Sequence, residues 1–405
     1  MAADSIESAL AESVTLLNST IGFLDTRLTL IHIPRESYTY FLQPISQLLL
    51  HQEQNAQDLD SIRSTKPWTF WHPFVNISLT STECSIVCPR HEADRLFAPV
   101  LEGLSPHVRK GVSISSDDFS VITIGGEGLE AGQRVLDLSG PLAMAGISIF
   151  FITSYWSDFI LVPFSARAKV IHALEERGFE FESPANGDGG HMTNIASPVQ
   201  RPFHRSSSSV SSIESPPTPG TPPPKSVSEL QSRTFKLLRR RNIAPQTSRD
   251  ISLVTCAGMK DSTPNSSAAN FTNGKLQLGL IKCLTACPPP RFLSVTLTDT
   301  ESVSLTLERR LLDLFPNQGE DVLLGKDGDE QVAITFDLRE LPLESTGIVC
   351  GVASKVIEGM KGRIGQEYFN MSYLSTVRAG HVIVYEDELN DVLEALEKSS
   401  CNGTA

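Results

Sequence analysis

The chain has 405 residues, 40% hydrophobic and 20% charged, with a net charge of −13. That length supports two to four small domains with cores of their own. The acidic balance excludes a general nucleic-acid or anionic-membrane binder, and the densest basic run, Lys236 to Arg241, reads as a linker flank. No run reaches the ~18 apolar residues a membrane helix needs. Met1 to Asn18 lacks Lys and Arg, so neither a secretory leader nor an Arg-rich transit peptide is expected there. It reads instead as a short amphipathic helix through Ile6, Leu10, Val14 and Leu17. Seven cysteines, an odd number, point to reduced thiols in a cytoplasmic setting.

In chain order, residues 28–34 predict a strand and 37–50 a helix with Ser37 as cap. A polar loop over 52–66 follows, then a hairpin of 68–80 and 84–89 and a helix over 91–101. The next unit has a strand at 119–124, a helix at 133–144 and an apolar hairpin running to Val162 through the turn Ser154–Ser157. A helix at 168–178 and a short strand at 179–181 complete a βαββαβ order, the split unit that makes an antiparallel sheet with two helices on one face.

From about 183 to 233 the composition changes to Ser, Thr and Pro, including Ser215-Pro-Pro-Thr-Pro219 and Thr221-Pro-Pro-Pro224. Such a stretch buries too little apolar surface to offset its ordering entropy, so a disordered linker is expected. Its Ser-Pro and Thr-Pro pairs (Ser197, Ser215, Thr218, Thr221) read either as kinase sites or as products of composition alone. Beyond it come a strand at 251–256, a polar insertion at 260–273, a helix at 275–286, strands at 292–297 and 303–307, and a short helix at 309–315. A last unit has a strand at 331–338, a helix at 347–360, strands at 368–376 and 381–385, and a helix at 386–398.

Two internal repeats tie these units together. Val75–Glu83 matches Leu293–Glu301 at an offset of 218, and Ile152–Val162 matches Leu374–Val384 at an offset of 222. The layout is therefore a duplicated pair of units: an extension at 1–24, modules at 25–112, 113–182, 234–330 and 331–398 around the 183–233 linker, and a tail at 399–405.

Catalytic constellations are missing. Gly125-Gly-Glu-Gly128 has neither the Walker Lys nor dinucleotide spacing and reads as a flexible strand exit. Cys84 and Cys88 on one strand are too far apart to chelate a metal, and Cys283 and Cys287 have no second ligand pair. His91-Glu92 has no second His at i+4. No cofactor, metal or nucleic-acid partner is expected, and the chain is read as a non-enzyme. Binding chemistry remains: a helix starting at Gly347 offers unpaired N–H groups and a favourable dipole to a carboxylate. Taken alone, the tetrapeptide Thr346-Gly-Ile-Val349 reads better as an ordinary helix start than as a carboxylate site.

Leu142-Ala-x-Ala-Gly-Ile-Ser-Ile149, followed by Ser154-Tyr-x-x-Asp-Phe-Ile-Leu-Val162, resembles the ACT domain and, more narrowly, the CASTOR (GATS-like) arginine sensors. The resemblance implies an α+β fold of four ACT modules and a non-enzymatic amino-acid sensor relaying nutrient status to the TOR kinase through a GATOR-type complex. It places a free amino acid between the second and fourth modules. The ligand's main-chain groups would meet Ser148 and Ile149 on one side and Thr346, Gly347, Ile348, Val349, Thr376 and Val377 on the other. The family's guanidinium-pairing Asp falls at Gly380, so a neutral or acidic amino acid is expected to bind better than arginine. Tyr155, Trp156 and Asp158 correspond to its partner-contacting turn, and a homodimer is among the expected assemblies. Two alternatives stand beside the sensor: a ligand-independent scaffold controlled through its linker, and a regulatory subunit of an amino-acid biosynthetic enzyme.

Overall fold

The computed structural model describes residues 20–50, 72–125, 131–181, 224–259, 267–316, 322–360 and 369–397. Its first half holds β1 (Thr20–Phe23), β2 (Leu28–Pro34), β3 (Phe74–Thr80), β4 (Glu83–Pro89), β5 (Ser113–Ile114), β6 (Phe119–Gly125), β7 (Phe150–Thr153), β8 (Asp158–Pro163) and β9 (Glu180–Phe181). The second holds β10 (Gln246–Thr247), β11 (Leu253–Gly258), β12 (Phe292–Thr298), β13 (Ser304–Glu308), β14 (Leu323–Leu324), β15 (Gln331–Asp337), β16 (Ser372–Ser375) and β17 (Ala379–Tyr385). The principal helices are α1 (Leu42–Leu50), α2 (Ala131–Met144), α3 (Arg167–Glu175), α4 (Val227–Arg240), α5 (Ser267–Leu284), α6 (Ile348–Met360) and α7 (Leu389–Glu397).

Twelve strands close into a flattened, barrel-like ring. One side runs β2–β4–β3–β12–β13–β11 and the other β6–β8–β7–β16–β17–β15. The sides meet where Leu28 pairs Phe119 and where Leu253 pairs Gln331. Along each strand alternate side chains point in and out. Inward residues such as Leu30, Phe74, Phe159 and Leu374 form a core between the two sides. Outward residues of the second side (Ile122, Ile160, Ile334, Val382) pack under α2, α3, α4, α6 and α7. Those of the first side (Ile31, Ile77, Ile86, Val295) pack under α1, α5 and the helical stretch at 90–103. The result is a mixed α/β molecule of four layers, helices outside and strands within.

The repeats seen in the sequence set the symmetry. Ile77 pairs Val295 across β3 and β12, an offset of 218. Ile152 pairs Leu374 across β7 and β16, an offset of 222. A residue facing its own repeat mate marks a two-fold axis, so one approximate axis passes through both pairs. Its mates are legible in hydrogen bonds: Phe151 N donates to Ser375 Oγ (2.9 Å) and Tyr373 N to Thr153 Oγ1 (3.1 Å).

Four expectations change. The 1–24 extension contains β1, which pairs with β6 and with β9. The 179–181 strand therefore pairs with β1 and not with β6, because β1 occupies that edge. The linker ends earlier than 233: Ser226 caps α4 by accepting from Glu229 N (3.2 Å), and Leu230, Thr234, Phe235 and Leu238 are buried along one face. That helix has no counterpart in the sequence reading, and it packs on α6 and α2. Within the expected 260–273 insertion, α5 already begins at Ser267. The Ser/Pro stretch to 223, the 52–66 loop, the Gly126–Gly128 part of the strand exit and the 1–18 helix lie outside the described residues.

Candidate ligand-binding site

A small cleft opens between the start of β7 and the loop that leads into α6. Ile149 and Phe150 form one wall, residues 338–349 the opposite wall, and the β16–β17 turn the floor. Six of the expected residues line it: Ile149, Ile348, Val349, Thr376, Val377 and Gly380. The first N–H groups of α6, at Ile348 and Val349, have no acceptor within the helix, and both residues border the cleft. A carboxylate placed there meets donors and the positive helix end together.

Ser148, Thr346 and Gly347 do not line the cleft. Thr346 is exposed and Ser148 half-buried. Gly347 is buried with φ +79°, and a Cβ on it would come within 3.1 Å of Leu230 on α4. Its carbonyl starts α6 by accepting from Gly351 N (2.8 Å) and also accepts from Thr234 Oγ1 (3.1 Å). Gly347 thus shapes the helix start from behind. The N–H groups of the floor are already used: Thr376 N reaches Ala379 O (2.9 Å) and Val377 N reaches Ser85 Oγ (3.1 Å).

That floor is held from the other side of the ring. Glu83, fully buried on β4, accepts from Thr376 Oγ1 (2.6 Å) and Arg378 N (2.8 Å) through Oε1, while Oε2 meets His32 Nδ1 at 2.6 Å. Its repeat mate Glu301 accepts from Ser157 in the other hairpin turn. No sequence signal marked Glu83 as part of the site except its place at the end of the 75–83 repeat.

The cleft is narrow, about 50 Å³, and its lining carries no charged side chain. Tyr373 fills the space beside Gly380: a Cβ on Gly380 would lie 2.5 Å from the Tyr373 hydroxyl. Fully desolvated, that phenol is pushed far above its ordinary pKa and stays neutral.

The symmetry-related position is built differently. Asp158, the mate of Gly380, is fully buried and pairs with Arg134 of α2 at 2.7 Å. Burial pushes its carboxyl above the usual range, and the guanidinium draws it back. Phe151 stands where the first cleft has Tyr373. An internal arginine therefore occupies one half of the pseudo-symmetric pair while the other is left neutral and small.

Of the expected partner-contacting residues, Trp156 is 46% exposed and Tyr155 half-buried. Tyr155 N donates to Ser304 Oγ (2.7 Å), and its ring covers Gly325. Asp158 faces Arg134 in the interior, where it is out of reach of a docking protein.

A model of the ACT domain, a regulatory, amino-acid-binding module, matches residues 114–176, which contain β6, α2, β7, β8 and α3. No curated protein sequence matches the chain. Among solved structures, aspartate kinase from Synechocystis is similar over 95% of this chain and 56% of its own, at 10% identity and a TM-score of 0.32. The chain thus spans just over half of that enzyme's length. A proposed C-terminal regulatory domain of aspartate kinase from Porphyromonas gingivalis matches 40% of this chain and 99% of its own, at 14% identity and a TM-score of 0.27. A protein from Agrobacterium tumefaciens matches 42% and 98%, at 17% identity and a TM-score of 0.26. Among the described residues no helix is long and apolar enough to cross a membrane.

Proposed function

We propose that this protein is a non-enzymatic amino-acid sensor of four ACT-like units, with one ligand site in the cleft between β7 and the start of α6. The observation that carries the reading is the convergence on that cleft: free helix-start N–H groups at Ile348 and Val349 meet a strand end from the matched ACT segment. The ligand's carboxylate sits on the helix start, and its side chain points toward the Tyr373 hydroxyl. With no carboxylate in the lining and about 50 Å³ available, the ligand is a small uncharged amino acid, and the 338–347 loop moves outward to admit it. The sensor acts in the cytoplasm and signals to a protein partner of the TOR nutrient pathway through Tyr155 and Trp156; the sequence resemblance is the support for that output.

A thermal-shift screen against the twenty free amino acids tests the reading. A small neutral amino acid should raise the melting temperature by a few degrees at saturation. The shift should vanish in Ile149→Trp, whose indole fills the half-buried mouth of the cleft. A second reading, a ligand-independent scaffold, is favoured by the cleft's small volume. It wins if no amino acid moves the melting curve.

A further inference from the structure

The β3–β4 hairpin brings a second set of ligating side chains together. Asn76 faces Val87 and Ile77 faces Ile86, so the pairing continued past the strand ends sets His72 opposite His91. His91 and Glu92 lie in the helical turn after β4, and His72 lies two residues before β3. The ligand atoms of His72, His91 and Glu92 all fall within 4.8 Å of one another. Glu92 Oε1 is 3.4 Å from His91 Nε2 and 4.0 Å from His72 Nε2. Both contacts are at ion-pair distance, and the three ligand atoms are also near enough to one another to share a single ion. A tetrahedral metal with ligand bonds near 2 Å sets its ligand atoms roughly 3.3 Å apart. The Glu92–His91 separation already matches this, and the wider ones close by a modest movement of the exposed His91 ring and the carboxylate.

The carboxylate is prepared for this. Glu92 is buried, and Arg95 grips its other oxygen, Oε2, through Nη2 at 2.6 Å and Nε at 3.2 Å. That grip turns Oε1 toward the two rings, the orienting role that outer partners play around metal carboxylates. His72 is buried and fixed by its place in the hairpin, whereas His91 is 72% exposed and free to close the last fraction of distance.

We propose that His72, His91 and Glu92 bind one divalent transition-metal ion of the zinc type, with water completing its shell. Two imidazoles and one carboxylate suit such an ion, and the nitrogen donors select against Mg²⁺ and Ca²⁺. Bound there, the ion staples the open ends of the β3–β4 hairpin, whose β3 strand forms the junction with β12 across the two-fold. Spacing along the chain gave His91 no partner; the antiparallel register supplies one 19 residues upstream.

Titrating the full-length protein with Zn²⁺ in a calorimeter tests this, with Mg²⁺ as control. One Zn²⁺ per chain should bind, with a rise in melting temperature and no response to Mg²⁺. His91→Ala removes an exposed side chain and should leave the circular-dichroism spectrum unchanged while weakening Zn²⁺ at least about a hundredfold. Glu92→Gln should weaken it comparably. Absence of stoichiometric Zn²⁺ uptake overturns the proposal. So does full affinity in His91→Ala, which would place the ion elsewhere, for example at the exposed Cys287.

Discussion

Gly380 and Tyr373 act as a pair, and the repeat shows what they replace. At the mated positions stand Asp158 and Phe151, where the carboxylate meets a guanidinium. Restoring a carboxylate at Gly380 alone drives it into the Tyr373 hydroxyl, which a Cβ would already approach to 2.5 Å. Gly380→Asp is therefore expected to lose about 1–3 kcal/mol of stability, the usual cost of overpacking. Gly380→Asp combined with Tyr373→Phe should recover most of that loss and gain arginine binding by a charge-assisted hydrogen bond, roughly tenfold or more. Denaturant melts and arginine calorimetry on the single and double variants check both parts. An equally stable single variant would show that the phenol yields without cost.

At the scale of an element, α4 shows how a terminus is defined. Ser226 accepts from Glu229 N, and the Glu229 carboxylate accepts from Lys225 N (2.8 Å) and from Arg233 Nη2 (2.6 Å). These bonds begin the helix directly after a proline run. Ser226→Ala is expected to cost about 1 kcal/mol. Deleting 183–223 should leave the melting temperature within a few degrees. Extending the deletion to 233 removes Leu230, which covers Gly347 at the start of α6, and should lower it much further. Paired melting curves of the two deletions decide this; equal melting temperatures would mean that the first turns of α4 contribute nothing.

For the molecule as a whole, the interior between the two sides is a pH-dependent contact. His381 lies on β17, 1% exposed, edge-on to Phe292 of β12 and bonded through Nδ1 to Thr335 Oγ1 at 2.9 Å. Burial lowers its pKa to about 4, with Glu83 pulling the other way. The unfolded chain then binds the proton more readily than the folded one between about 4 and 6.5. Stability from this group is complete above pH 6.5 and is lost as pH falls toward 4, by up to about 3 kcal/mol. Glu388, raised to about 7 chiefly by burial, works in the opposite direction, and its partial exposure screens it. Comparing wild type with His381→Gln between pH 7 and pH 5 cancels the Glu388 part. The wild type should lose more stability than the variant on acidification; parallel losses would remove His381 as the cause.

Period and repetition made most of the strands readable. β2, β6, β8, β12, β15 and β17 lie within a residue or two of the sequence reading because alternation and β-branched runs are local properties. The 218 and 222 offsets carried the two-fold as well, whereas Ile149, Ile348, Val349, Thr376, Val377 and Gly380, which line one cleft, were singled out by the resemblance to ACT-domain sensors and not by period or spacing. Edges and contacts between repeats were not local. β1, β10 and β14 have two to four residues each and are strands only because a longer partner offers an edge. Whether a carboxylate was an exposed contact, a clamp or a ligand was decided by what lay opposite it: Arg134 for Asp158, Thr376 and Arg378 for Glu83, two imidazoles for Glu92. Sequence period sets which side chains leave a strand on the same face. Only the closed ring sets what each of them meets, because a charge's energy depends on neighbours brought together from distant parts of the chain.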